Sequence, residues 1–264
     1  MGVAKPTIMT AVPRFYQNLF TKINMNFEKQ AGLKRKLINQ TLNLGKKILK
    51  KEKLDFIEKS INFLCDILVR NKIRNQFGGN LQAFVSGGGA LDQNIGEFLN
   101  AVGLPTLQGY GLTEASPVVS CNLPDLVKVD SVGPPFRTNQ VKIAEDGEIL
   151  VKGENVMLGY WNLKEETEKV IKDGWLHTGD IGEIDSNNYL KIKKRKKDII
   201  VNLGGDNISP SKVENILCLN ENIKQSFVYG DKKNYLVALI VTERAINKEK
   251  IQLSIENMNK SLTL

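Results

Sequence analysis

Seven consecutive residues, Gln108 to Glu114 (QGYGLTE), concentrate side chains able to hold a nucleotide. Gly109 and Gly111 loosen the backbone on both sides of Tyr110, so its ring can lie flat against a planar base while the main chain approaches a ligand. Thr113 then offers a hydroxyl and Glu114 a hard anionic oxygen, the types that serve a phosphate and its Mg²⁺. Gln108 opens the stretch with an amide. An ordinary glycine-containing turn fits the same seven residues equally well, so their surroundings must decide.

A second group lies at Trp175 to Asp180 (WLHTGD), where Gly179 exposes Asp180 just before a strand over Ile181–Asp185. Such an aspartate could accept both hydroxyls of a ribose diol, or could merely shape a turn. His177, the one histidine, is of a type more often packed or hydrogen-bonded than catalytic, and a single histidine makes a zinc site unexpected. No Ser-His-Asp or Cys-His arrangement is present.

The elements that must position these groups can be read from hydrophobic spacing. Leu81–Ser86 reads as a buried strand, Gly87-Gly88-Gly89 as a turn, Leu91–Val102 as a helix stopped by Gly103, and Leu104–Leu107 as a second strand. Two glycine loops thus follow consecutive strands of a βαβ unit, at the strand ends where open parallel sheets bind ligands. Neither loop is a known phosphate fingerprint: there is no G-x-x-x-x-G-K-[ST], and GYGLTE lacks the third glycine of the dinucleotide motif. Upstream, TIMTAV is a short strand, and helices are expected over Arg14–Lys29, Leu33–Lys51 and about Leu54–Phe77. The stripe of Ile57, Ile61, Leu64, Leu68 and Ile73 on the third is expected to face the core. Downstream, Asp146-Gly147 joins a hairpin of Gln140–Ala144 and Glu148–Val151, Lys164–Ile171 is a charged helix, and Asn187-Asn188 closes a second hairpin onto Tyr189–Lys193. The run Lys193–Asp198 (KKRKKD) reads as a solvated linker. Beyond it come a strand at Ile199–Val201, a helix from Ser209-Pro210 to Leu219, strands at Phe227–Tyr229 and Tyr235–Val241, and a polar helical end, together a small α+β lobe.

Apolar content of 41% and charged content of 25% are those of a globular protein, and no apolar run approaches a membrane span. With no secretory leader at MGVAKPTIMT, a cytoplasmic setting is expected. Cys65, Cys121 and Cys218 are odd in number and set among apolar neighbours, which suggests reduced, packed thiols. The net charge of +8 is uneven. Residues 1–80 hold 16 Lys and Arg against 5 Asp and Glu, and the remainder 21 against 24. A basic helical third without a recognisable module or interleaved aromatics argues against nucleic acid, leaving solvated helix faces or attraction to an anionic membrane surface or substrate.

With these pieces placed, the chain resembles the adenylate-forming acyl-activating enzymes, most closely the long-chain fatty acyl-CoA synthetases. The matching strings, in family order, are KPTIMTAVPRFY, VSGGGALD, LQGYGLTEASPVV, SVGPPF, GEILVKGENVMLGYWN, DGWLHTGDIGEID and RKKDIIVNLGGDNISPSKVE. The resemblance implies an α/β fold: residues 1–194 as part of a large adenylate-forming domain, with a parallel βαβ sheet and a β-rich subdomain, and residues 195–264 as a hinge and a small, incomplete α+β C-terminal domain. It implies ATP, Mg²⁺, a fatty acid and coenzyme A as ligands. Gly87, Gly88 and Gly89 match the loop flanking adenine, and Gln108, Gly109, Tyr110 and Gly111 the segment whose ring stacks on it. Thr113 matches a phosphate contact and Glu114 the Mg²⁺ ligand. Asp180 matches the aspartate that grips the ribose hydroxyls and Arg195 the arginine assisting it. Lys197 matches the hinge, and Gly205 falls in the loop that would line the pantetheine tunnel.

In that family a carboxylate attacks the α-phosphorus of ATP, and the coenzyme A thiol then displaces AMP, chemistry that needs no covalent protein nucleophile. Two features depart from the pattern. The Ser/Thr/Gly-rich phosphate loop that ordinarily precedes KPTIMTAVPRFY is missing, and the adenylating lysine has no match among Lys248, Lys250 and Lys260, so an internal fragment is expected. A ligase for another carboxylic acid, one loading acyl carrier protein, and a non-catalytic nucleotide-binding remnant remain open as alternatives. The helical insert from Phe27 to Phe77 and the VPRFY segment favour long acyl chains.

Overall fold

The computed structural model of the protein describes residues 2–218, 220, 222–242, 249, 251–253, 255, 256 and 259. The chain forms two compact units, Met1–Thr178 with Gly182–Ile192, and Gly179–Ile181 with Lys193–Leu264. Both are mixed α/β, the fold class the sequence implies.

The first unit begins with a four-stranded sheet in the order β1 (Ile8–Ala11), β2 (Ala83–Ser86), β3 (Thr106–Gly111), β4 (Val118–Cys121). The first three strands are parallel, and β4 runs antiparallel to β3. Helices α1 (Pro13–Glu28) and α2 (Gly32–Leu49) follow β1. A run of α3 (Phe56–Cys65), one π-turn (Asp66–Arg70) and α4 (Asn71–Asn75) leads to β2, and α5 (Gln93–Ala101) joins β2 to β3. Each start has a local cause: Pro13 at the first turn of α1, a capping box of Asp55 and Glu58 on α3, and Asp92 accepting from Asn94 and Ile95 on α5. Tyr16, Phe84, Ile95, Leu99 and Leu104 are buried in the core beneath the sheet. The Tyr16 hydroxyl donates to the Val85 carbonyl at 3.0 Å, tying α1 to β2.

The long helical run differs from the expected single core-facing helix. Ile73 is buried, but Ile57, Leu64 and Leu68 are exposed, as are Phe56, Phe63 and Ile67. The π-turn resets the helix face at Asp66, so that Val69 and Arg70 turn inward. Arg70 is buried with no carboxylate in a salt bridge to it among the described residues, and donates to the Ala101 carbonyl at 2.9 Å, the Thr41 carbonyl at 3.2 Å and Asn62 Oδ1 at 2.8 Å. Its burial lowers its pKa from the ordinary value.

A second sheet carries β5 (Asn139–Ile143), β6 (Glu148–Gly153), β8 (Trp175–Ile184) and β7 (Ile171–Lys172) in that spatial order, with β9 (Leu190–Arg195) also on β8. Helix α6 (Lys164–Val170) precedes β7. The hairpin at Asp146-Gly147 forms as its sequence requires, with Gly147 at φ 84°. Ile149, Val151, Leu176 and Leu190 fill this sheet's inner face with Val119 and Ala115. Strand β8 is longer than expected and takes in His177, Gly179 and Asp180. Strand β9 likewise takes in Lys193, Lys194 and Arg195, half of the run read as a linker.

The second unit holds two antiparallel pairs, β10 (Ile200–Val201) with β11 (Asn207–Ile208) and β12 (Ile223–Tyr229) with β13 (Val237–Thr242), and helix α7 (Pro210–Leu217). Ile200, Leu217, Ile223 and Val228 form its core. Leu219, Lys248, Lys250 and Lys260, and most of the polar end expected to be helical, lie outside the described residues.

Candidate functional site

The parallel strands bring the chemistry-bearing residues of the first unit to one edge. The register pairs Ala11 with Ser86 and Ser86 with Gln108, so Val12, Gly87–Gly89 and Leu112–Glu114 all follow the carboxyl ends of adjacent strands. Gly87 needs no glycine for packing, because a Cβ there would meet nothing within 4 Å. Gly88 needs one for its backbone, at φ 77°. The hydroxyl of Ser86, the last residue of β2, is buried without a hydrogen-bond partner. A polar atom orphaned beside an open glycine loop suits a site that a polar ligand completes.

Gln108–Gly111 are the end of β3, not a loop. Tyr110 pairs with Ser120 of β4 and is half-buried against the second core, which leaves part of its ring accessible. Gly111 is glycine for another reason than a turn: a Cβ would lie 1.9 Å from the Pro117 carbonyl oxygen. Gln108 departs from the expectation of a ligand contact. It is buried, its Oε1 accepts from the Leu91 backbone at 3.3 Å, and its Nε2 donates to the Val129 carbonyl, so both ends of the amide are spent internally.

Thr113–Ala115 form one 3₁₀ turn closed by Ser116 in the left-handed region, at φ 52°. Thr113 is exposed. The half-buried Glu114 accepts on Oε1 from the Tyr160 hydroxyl at 2.8 Å, and its carbonyl accepts from Met157 N–H at 2.8 Å. Its Oε2 has no protein partner among the described residues. The hydrogen bond from Tyr160, with a smaller contribution from burial, raises the phenol's pKa and keeps it a donor. One carboxylate with a free oxygen fits a cation that keeps waters and takes its remaining ligands from phosphate, which is the habit of Mg²⁺ and not of a protein-caged metal. Among the described residues no cluster of three or more His, Cys, Asp or Glu exists to hold a metal alone.

In the second unit Asp180 is buried, against the expected exposure, and meets Arg195 in a fork: Nε donates to Oδ1 at 2.8 Å and Nη2 to Oδ2 at 3.3 Å. Asp180 therefore shapes no turn. It is a strand residue oriented by a guanidinium that is itself 53% exposed. Gly179 lets this happen in mid-strand, at φ 73° with open space where a side chain would be. Lys197 is exposed in the turn after β9, and Gly205 in the turn between β10 and β11 adopts φ 83°. His177 is hydrogen-bonded as its type suggests, Nδ1 lying 3.2 Å from Glu148 Oε2. Of the residues near Glu114, sequence reasoning assigned no role to Asn155, Met157 or Tyr160. They lie about forty residues along the chain, and no local pattern announces the contact.

The sequence profile of a family described as AMP-binding enzyme matches residues 2–161, and that of the AMP-binding enzyme C-terminal domain matches residues 197–263. The chain is 36% identical over 245 residues to the long-chain-fatty-acid–CoA ligase FadD15 of Mycobacterium bovis, covering 92% of this chain and 41% of the relative. It is 33% identical over 258 residues to long chain acyl-CoA synthetase 1 of Arabidopsis thaliana, covering 90% and 38%. The chain thus spans about two fifths of the length of the curated relatives it matches. Among solved structures, O-succinylbenzoate coenzyme A synthetase from Bacillus subtilis in complex with AMP superposes with a TM-score of 0.63 at 23% identity, over 96% of this chain and 44% of that one. The A domain of a carboxylic acid reductase from Segniliparus rugosus, in complex with AMP and a co-purified carboxylic acid, gives 0.66 at 18% identity, over 100% and 40%. At those identities the likeness is one of fold.

Proposed function

The chain belongs to the AMP-binding enzyme family, and from that premise we propose that it serves the ATP-dependent activation of a long-chain fatty acid, through acyl-AMP, to the acyl-coenzyme A thioester. The observation that carries this reading is Glu114, held by its neighbours with one carboxylate oxygen free, at the carboxyl edge of parallel strands beside an open glycine loop. Tyr110 stacks on adenine beside Gly87–Gly89, Thr113 bonds a phosphate oxygen, and Asp180, oriented by Arg195, accepts the ribose hydroxyls. Glu114 would hold Mg²⁺, which supplies positive charge against the phosphate oxygens. The residues themselves orient the α-phosphorus toward the fatty acid carboxylate, so most of the acceleration comes from positioning. Lys197 would be the pivot about which the residues after it turn to present Gly205 for thioester formation.

The long-chain acid is favoured by the named relatives, which are long-chain ligases and synthetases. A cytoplasmic protein with peripheral attachment to an anionic membrane fits such a substrate. That part of the reading is supported by the exposed Phe56, Ile57, Phe63, Leu64, Ile67 and Leu68 of α3 and the π-turn, within the strongly basic first 80 residues. Among the described residues no helix is long and apolar enough to cross a bilayer.

The test is fatty-acid-dependent release of pyrophosphate from ATP, with a melting curve for each protein. Glu114→Gln keeps the shape and removes the charge, so release should fall at least about a hundredfold, as when a positioned electrostatic group is removed, with the melting temperature held. Undiminished release by the variant would exclude Glu114 as the metal ligand.

A further inference from the structure

We propose that Tyr160 is a positioning residue for the metal-binding carboxylate, and that the segment Asn155–Tyr160 is a brace that fixes Glu114 before metal arrives. This rests on the reading of Glu114 given above. The turn carrying Glu114 is only three residues long and cannot hold a side chain by its own hydrogen bonds. Three bonds from the brace supply what it lacks. Asn155 Nδ2 donates to the Ala115 carbonyl at 3.0 Å, Met157 N–H to the Glu114 carbonyl at 2.8 Å, and the Tyr160 hydroxyl to Glu114 Oε1 at 2.8 Å. The first two fix the backbone of the turn. The third fixes the rotamer and leaves Oε2 as the open oxygen.

The brace is anchored in turn. Tyr160 N–H donates to Thr167 Oγ1 at 2.9 Å, and that hydroxyl donates to the Leu163 carbonyl at 3.0 Å, so the phenol is aimed from the first turns of α6. Gly159, at φ 153°, passes so close to Thr167 that a Cβ would lie 2.8 Å from its methyl carbon. A larger residue there would move Tyr160 away. Asn155 also keeps a buried, unpartnered Oδ1 while its amide nitrogen serves the turn, which marks its place as set by that donation.

A carboxylate with one oxygen held by a neutral donor keeps its charge and loses its rotational freedom. A cation then binds without first ordering the side chain. Removing the donor should therefore weaken metal binding and leave the maximal rate reachable at high metal concentration, whereas removing the carboxylate should weaken binding and lower the rate at every metal concentration.

The experiment measures Mn²⁺ binding to the 264-residue chain in the presence of ATP, by electron paramagnetic resonance. It compares wild type, Tyr160→Phe, Glu114→Gln, Glu114→Asp and the double variant Tyr160→Phe/Glu114→Asp, each with a melting curve. Tyr160→Phe should raise the dissociation constant about tenfold, the worth of one hydrogen bond to a charged group. Glu114→Asp draws the carboxylate back from the phenol and should weaken binding similarly, and adding Tyr160→Phe to it should cost nothing more. Wild-type Mn²⁺ affinity in Tyr160→Phe, or full additivity in the double variant, would overturn the brace and leave the metal role of Glu114 standing. Unchanged affinity in Glu114→Gln would overturn the metal role itself. If Tyr160→Phe melts early, the comparison of Glu114→Asp with the double variant still decides.

Discussion

Asp185 illustrates how far one side chain's chemistry can be read from its contacts. Its Oδ1 accepts from Asn187 N–H at 2.8 Å and Tyr189 N–H at 3.0 Å, closing the hairpin before β9, and its Oδ2 meets Lys128 Nζ at 2.6 Å. Lys128 also lies over the Tyr189 ring, 4.2 Å from its centre. The hydrogen bond from Lys128, followed by that from Tyr189, lowers the Asp185 pKa from 3.8 to about 2. Because the folded value is the depressed one, the stabilisation is complete above the ordinary value and disappears as pH falls through about 2. Lys128→Met should therefore move the Asp185 carboxyl titration upward toward 3.8, stopping short because both backbone donors remain, and should flatten the loss of stability between pH 4 and 2. Carboxyl-carbon NMR titration of the two proteins checks this, and an unmoved midpoint would detach Lys128 from the effect.

At the scale of elements, the β3–β4 connection turns on Gly111. Its Cβ position is filled by the Pro117 carbonyl at 1.9 Å, and Leu112 N–H donates to that same carbonyl at 2.9 Å. Gly111→Ala should thus push β4 from β3 and cost about 3 kcal/mol, the upper range for overpacking a closed site, measurable by urea unfolding. Gly87→Ala, which meets open space, should cost far less. The same pair explains what the sequence could reveal. Tyr110, Thr113 and Glu114 stand out as candidates because ligand-type side chains crowd into seven residues, whatever the backbone does between them. The extent of β3 was not legible, since Gly109 and Gly111 read as turn formers when neither has a positive φ and Gly111 answers to a steric approach across the sheet. Asp180 stands out by its residue type but is misplaced as structure, because Gly179 looks like a turn and lies at positive φ within β8. Gln108 and Tyr160 were misjudged or missed for one reason: their partners, Val129 and Glu114, lie 21 and 46 residues away. Apolar spacing also could not foresee the π-turn at Asp66–Arg70, which breaks the single helical phase that the expected stripe assumes and leaves Ile57, Leu64 and Leu68 exposed while Ile73 is buried.

For the molecule as a whole, the proposed division of labour between the two half-reactions can be tested at Lys197. Its neighbours are fixed, Lys196 N–H donating to the Gly179 carbonyl at 2.7 Å and Asp198 N–H to the Arg195 carbonyl at 3.2 Å. Lys197 itself is exposed, and its N–H makes no hydrogen bond among the described residues, so a proline there removes no donor in use. A pivot must accept two backbone conformations and proline accepts one. Lys197→Pro should slow thioester formation from added acyl-AMP about tenfold or more while slowing pyrophosphate release less, the size of effect expected when a conformational step becomes limiting. The two rates are measured side by side, and an equal loss in both would withdraw the pivot.

The three residues Gly179–Ile181 count with the second unit although 11 residues of the first, Gly182–Ile192, separate them from its main body. Anyone recombining relatives of this protein will be tempted to join parents at Lys193, where the sequence turns basic. Such a chimera takes Arg195 from one parent and Asp180 from the other, so a forked ion pair becomes an inherited mismatch wherever the parents differ in how they aim it. Exchange across this boundary should be tolerated only when Gly179–Ile181 travel with the downstream segment.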